Sequence, residues 1–133
     1  MTKEQLIADA AEMKASGKYN CAQAVACAFA PAVNMDAELV KRMTNSFGTG
    51  MGCLEATCGA IVGAGVIIGL ASADRVTAMR TSAGVIQKFN ERNGATICGR
   101  LKGIEHRPAR PLRPCTLCVT DAAEFLADAL HID

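Results

Sequence analysis

The groups with the most chemistry to offer are seven cysteines in 133 residues. Cys115 and Cys118 form a CxxC pair that follows Pro114 and opens a stretch of helical periodicity. At a helix N-terminus the unpaired N–H groups and the dipole favour a thiolate. Such a pair either cycles between dithiol and disulfide or donates two metal ligands. Val119 stands where CxxCH would need histidine, so covalent haem attachment is unsupported, and no βαβ pattern surrounds the pair as a thioredoxin fold would require. Cys53 and Cys58 flank another predicted helix start. With Cys115 and Cys118 they would make a tetrathiolate zinc site, although their spacing is loose for a zinc knuckle. Cys58 lies behind a glycine-punctuated loop, Gly48-Thr49-Gly50-Met51-Gly52, and heads an apolar run from Thr57 to Ala73. Gly59 and Gly63, four apart on one helix face, remove side chains beside it and leave a groove.

Other chemistries find less support. The glycine loop has no preceding strand and fits neither GxGxxG nor GxxxxGK[ST], so a nucleotide cofactor is not indicated. Neither a Ser-His-Asp order nor a paired-carboxylate arrangement is evident. The imidazoles are His106, expected to be solvated, and His131, expected near a helix C-terminus. Glu55 reads as an exposed first-turn carboxylate. A net charge of +1 points to no nucleic acid and to no acidic membrane surface. The N-terminal stretch lacks the apolar segment of a secretory signal, so the expected compartment is the reducing cytoplasm. There, clustered thiols are ligands or redox groups more often than disulfides. Two or three of the seven are expected to be packing filler.

The elements that must position these thiols read as helices. Half the residues are hydrophobic, but they include only four Phe and one Tyr and no Trp, which suits closely packed small side chains. A capping box at Thr2 and Gln5 starts a first helix that ends at Gly17. Asn20 caps a second from Cys21 to near Pro31. A third, capped by Asn34 or Asp36, is expected to turn Leu39, Met43 and Phe47 inward. The apolar run becomes a buried Gly-rich helix, a core element rather than a membrane span because it is short, glycine-dotted and flanked by charge. Asp74 starts a fifth helix with Val76, Met79, Ala83, Ile86 and Asn90 on its expected face and Val85 and Phe89 alongside. Gly94 closes it. A short turn capped by Thr96 carries Cys98, and a last helix runs from Cys115 to about His131 with Val119, Ala122, Ala123, Leu126 and Leu130 inward. No alternation of period two persists long enough for a strand. The expected fold is all-α: a compact bundle of five to six helices around the buried Gly-rich helix, one domain over residues 1–133. Before the last helix, prolines at every third position place Arg107, Arg110 and Arg113 on one polyproline ridge. The ridge reads as a stiff solvated linker first and as a dock for a phosphate, carboxylate or acidic partner second.

Taken in order, Asn20-Cys21-Ala22-Gln23-Ala24-Val25, the run FGTGMG, Cys58-Gly59-Ala60-Ile61-Val62-Gly63, Cys98-Gly99-Arg100-Leu101-Lys102-Gly103, and Cys115 followed by Val119 and Asp121-Ala122-Ala123-Glu124 resemble a known family. It is the C_GCAxxG_C_C family of small bacterial and archaeal proteins described as redox-active, related to a module of split-Soret cytochromes. The resemblance covers nearly the whole chain. It implies that Cys21, Cys58, Cys98 and Cys115 are the marked cysteines, with Cys27, Cys53 and Cys118 extra and Thr57 preceding the central one. It further implies four thiols presented near helix starts and gathered on an iron–sulfur cluster, [2Fe–2S] before zinc. Gly48, Gly50, Gly52 and Gly59 would lie against that centre, with the loop glycines donating N–H to sulfur.

The expected function is therefore redox or electron transfer with an unnamed redox protein partner. The alternatives are a metal-free thiol–disulfide protein and a helical interaction module with buried thiols. The small-residue face at Gly59 and Gly63 further suggests a homodimer.

Overall fold

The computed structural model describes residues 1–103 and 114–133, so His106 and the ridge of Arg107, Arg110 and Arg113 lie outside the described residues. Among the described residues seven α-helices occur in the order α1 (Lys3–Ala15), α2 (Cys21–Phe29), α3 (Ala37–Met43), α4 (Gly59–Ala71), α5 (Arg75–Asn93), α6 (Cys98–Leu101) and α7 (Cys115–Ala129). Among the described residues there is no strand, and one isolated antiparallel bridge joins Thr57 to Ile97. The fold is all-α as expected. The short turn at Cys98 closes into the single-turn helix α6.

Local chemistry starts the helices where the sequence places them. The Thr2 hydroxyl accepts from the Gln5 N–H at 3.2 Å while the Gln5 side chain accepts from the Thr2 N–H at 2.8 Å. Asn20 and Gln23 form a second reciprocal box at 2.8 and 2.9 Å. These pairs satisfy donors that a helix start otherwise leaves bare. Asp36 caps α3 and Asp74 caps α5 through Leu39 and Thr77 N–H groups. Gly94, at φ 76°, ends α5.

The buried centre of the bundle is α2, not α4. All nine residues of α2 are buried, and it packs against α1, α3, α4 and α7. In α4 the buried residues are Gly59, Ala60, Ile61, Gly63, Ala64, Ile67 and Ile68, whereas Gly69 and Leu70 are exposed. A charge-free run tells that a helix has no strongly polar face, but not how many neighbours surround it. No helix of the described residues is long and apolar enough to cross a membrane.

The α2–α4 contact is unusually close. A Cβ on Gly63 would overlap the Ala22 carbonyl oxygen and lie 3.0 Å from the Ala22 Cα. A Cβ on Gly59 would stand 2.7 Å from the Phe47 carbonyl oxygen and 3.2 Å from the Ala22 nitrogen. The small-residue groove is thus filled by α2 of the same chain.

Two helix faces differ from expectation. In α3, Val40 and the following Thr44 are buried while Leu39 and Met43 are exposed. In α5, the buried positions are Val85, Phe89 and Asn93, whereas Val76 and Met79 are 53% and 64% exposed and Ile86 also faces out. Both sets keep helical spacing, and a helix with two apolar stripes does not itself say which one meets the core. On α7, Val119, Ala122, Ala123 and Leu126 are buried as expected. Arg92 at the end of α5 clasps α7, bonding Asp121 at 2.9 Å and Glu124 at 2.7 Å with its guanidinium 4.4 Å from the Phe125 ring centre.

The glycine contacts generate a paired prediction. Gly63→Ala should destabilise the protein by roughly 1–3 kcal/mol, because α2 and α4 must separate to admit the methyl group. Gly69→Ala, where no atom lies within 4 Å of the new Cβ, should be neutral or gain up to about 1 kcal/mol from reduced chain entropy. Urea unfolding of both variants checks this, and equal losses would contradict the close-approach account.

Candidate functional site

Four helix starts bring their first residues to one end of the bundle. Cys21 is the first residue of α2, Cys58 the N-cap of α4, Cys98 the first residue of α6 and Cys115 the first of α7. The Thr57–Ile97 bridge aligns two of them. The Cys58 N–H donates to the Thr96 carbonyl at 2.7 Å, and the Cys98 N–H donates to the Ala56 carbonyl at 3.0 Å. The close approach at Gly59 joins a third, since a Cβ there would lie 3.4 Å from the Cys21 Cβ. The Asn20 cap anchors the start of α2 by donating its amide to the carbonyls of Thr44 and Asn45 at 3.1 and 3.2 Å.

The glycine loop completes the wall by shape. Thr49, Gly50, Met51 and Gly52 take positive φ values of 52°, 57°, 58° and 82° in succession. Holding Thr49 and Met51 in this left-handed region costs about 1 kcal/mol each. Gly50 packs so close that a Cβ would fall 2.9 Å from the Cys98 Cβ. The expected N–H donation from the loop is only partly open. The Gly52 N–H already donates to the Gly48 and Thr49 carbonyls at 3.0 Å, and Gly52 is exposed. Gly48 packs against the Asn20 side chain, and Thr49 is the residue of this loop that lines the cavity.

Cys21, Cys58, Cys98, Cys115 and Cys118 all line one cavity of about 40 Å³, together with Lys14 and Lys102. That space holds a small ion or a few water molecules. It is far below the several hundred Å³ of a pocket for an organic cofactor. The four family-marked cysteines are thus brought together, and Cys118 joins them although the resemblance counted it as extra. Cys115 is half-buried and the other four are buried. Within the group Cys21 interacts with both Cys58 and Cys115, and Cys58 also with Cys118. All seven cysteines are free thiols.

The remaining candidates lie elsewhere. Cys53 is exposed, with its sulfur 3.5 Å from the Gly50 carbonyl oxygen, so the zinc grouping of Cys53 with Cys58, Cys115 and Cys118 is not assembled. Cys27 is buried filler whose sulfur faces the Ala37 carbonyl at 3.7 Å. His131, at φ 58°, follows the end of α7 and is exposed, as is Glu55.

Electrostatically the cavity favours neutral thiols. Burial pushes the Cys21 thiol up to about 12, against the pull of the Lys14 ammonium. A hydrogen bond from its own S–H to the Cys118 sulfur, then burial, holds Cys58 well above the usual thiol range, against the nearby N–H groups of Ala60 and Ile61. Burial also raises Cys98, opposed by Lys102. For these three thiols desolvation and mutual contact outweigh the helix-terminus effect expected from the sequence. Sequence reasoning passed over both lysines. Lys102 carried a readable signal, four residues after Cys98 on the same helical face. Lys14 carried none, because only the turn between α1 and α2 returns it to the thiols.

The donor chemistry suits a thiophilic metal: five sulfurs line the cavity, with no carboxylate or imidazole among the described residues that line it. Yet among the described residues no group of three or more His, Cys, Asp or Glu side chains is assembled as a metal site. A family model described as "Putative redox-active protein (C_GCAxxG_C_C)" matches residues 19–129. No curated protein and no solved structure matches the chain.

The raised thiols give a pH prediction for the reduced, metal-free protein. A group that holds its proton more tightly when folded stabilises the fold below its unfolded value and loses that contribution as pH rises. For Cys21 the window runs from the ordinary 9.0 to about 12. Thermal unfolding should show stability falling as pH climbs above about 9, and falling less in Cys21→Ala. Equal slopes for the two proteins would contradict the assignment.

Proposed function

The chain belongs to the C_GCAxxG_C_C family, and from that membership we propose that it is a redox-active protein whose working part is a thiolate-ligated metal centre held by Cys21, Cys58, Cys98 and Cys115. The observation that carries this reading is the convergence of these thiols on one small cavity lined with sulfur and two ammonium groups. Soft thiolate donors select iron–sulfur clusters, zinc or Cu(I), and among these an iron–sulfur centre, [2Fe–2S], fits redox activity best. Bound there, such a group supplies one-electron oxidation and reduction. The chain's own contribution is to bind and insulate. The cysteines give up their protons to become ligands, Lys14 and Lys102 offset the accumulated negative charge, and burial among α2, α4 and α7 excludes water. An electron donor and acceptor protein would complete the function, and a reducing compartment such as the cytoplasm suits seven free thiols.

A second reading has its own support. The gathering of five free thiols on one cavity suits a metal-free dithiol–disulfide protein as well. Against it, exchange with a partner needs an accessible thiolate, whereas Cys21 and Cys58 are buried and held protonated.

Anaerobic purification followed by metal analysis and an optical spectrum separates the two. The expected result is a coloured protein with about two irons per chain. Its visible absorption should be lost in Cys58→Ser and in Cys98→Ser but retained in Cys53→Ser. A colourless, metal-free protein that stays so after iron and sulfide are supplied would overturn the metal reading, and a reversible disulfide near cytosolic poise would favour the second.

A further inference from the structure

The thiol cavity reaches the surface through a basic rim. Lys14, on the last turn of α1, and Lys102, directly after α6, both line it, and both are partly exposed, as is Cys115. Among the described residues no carboxylate pairs with either ammonium, since the ion pairs are those of Lys3 and Arg92. We propose that this rim is the docking surface for an acidic redox protein, seated over Lys14, Lys102 and Cys115.

Three observations support it. First, the charge is local. The chain as a whole carries +1, but the segments that line the cavity, 14–21, 48–58, 96–103 and 114–118, hold Lys14, Lys18, Arg100 and Lys102 against Glu55 alone. Lys18 shares a surface hollow with Asp9 and Glu12 and is discounted, which still leaves cations in excess. Second, apolar side chains stand exposed in the same segments. Met51 follows Gly50, which packs on Cys98, and Leu117 lies two residues past Cys115. A protein interface combines such apolar contact with charge, whereas a small anion would need only the lysines. Third, the cavity of about 40 Å³ is too small to admit an organic electron carrier, so exchange has to take place across the rim.

Opposite charge steers the encounter and fixes its orientation, and apolar contact then holds the complex. The step served is the passage of one electron. The partner's reduced group loses it and the centre gains it, with no atom transferred and no bond formed. What crosses the interface therefore rests on the metal-centre reading above, whereas where the partner sits does not.

The test uses the full chain, reduced and freed of metal, with alkylation of Cys115 followed by site-resolved mass spectrometry. Anionic iodoacetate and neutral iodoacetamide consume the same thiolate, so the ratio of their rates reports the field at the rim. That ratio should fall as salt is raised from ~10 mM to ~0.5 M, a measurement that needs no variant. At low salt it should be several-fold lower in the Lys14→Gln/Lys102→Gln double variant. An excess of an acidic ferredoxin, the probe for the partner, should slow iodoacetamide alkylation of Cys115 several-fold at low salt and not at high salt. A basic cytochrome c should give no such protection. Leu117→Ser should weaken the protection without moving the reagent ratio. A ratio indifferent to salt and to both lysines would overturn the proposal. So would a salt-dependent ratio without protection by ferredoxin, which would make the rim a site for small anions. Failure of the metal reading registers separately, as protein purified anaerobically without iron, and leaves the Cys115 rates to decide the docking surface.

Discussion

The structure depends on how closely α2 and α4 can approach. With Gly59 and Gly63 lying directly on the Ala22 backbone, no side chain separates the two helices over their first turns. That contact sets Cys21 beside Cys58, and the Thr57–Ile97 bridge then adds Cys98. Cysteines far apart in sequence therefore converge because two helices touch and one loop pairs with another. Any side chain larger than hydrogen at Gly63 would push the thiols apart while leaving every cysteine in place.

The convergence creates an electrostatic problem that the surroundings only partly solve. Helix starts favour thiolate, but several thiols in one desolvated cavity cannot all ionise together. Cys21, Cys58 and Cys98 accordingly stay protonated, and Lys14 and Lys102 offset only part of the cost. A cavity poised in this way gives up protons when a cation arrives to replace them. Electrostatics thus favour a metal centre over an exposed exchange reaction.

Two sets of ion pairs hold the helices by different means. Arg92 joins the end of α5 to α7 through Asp121 and Glu124, and Lys3 at the start of α1 reaches Asp128 near the end of α7 at 2.6 Å. The Asp121 side chain is buried, so this clasp places a carboxylate where its charge requires the guanidinium. The same α5 carries an outward stripe, Val76, Met79 and Ile86, beside the exposed end of α4. Its inward stripe, Val85 and Phe89, packs on the core.

Much of this was legible in local sequence because it depends on local physics. Capping boxes at Thr2 and Asn20, acidic caps at Asp36 and Asp74, and the closing glycine at Gly94 act within three or four residues, so the helices followed from the chain alone. The cysteines that gather were legible through their resemblance to a family, not through their spacing. What the sequence left open were choices between equivalent faces and neighbours: which stripe of α3 and α5 turns inward, and whether the Gly59–Gly63 groove receives α2 or a second copy. Lys14 joined the site only through the packing of α1, whereas Cys118 was already legible in the CxxC pair. By itself the sequence determined an all-α chain with helices starting at its thiols. Tertiary structure decided that α2 is the centre, that Cys21, Cys58 and Cys98 hold their protons and that five thiols share one cavity, because burial and mutual contact arise only once distant helices have met.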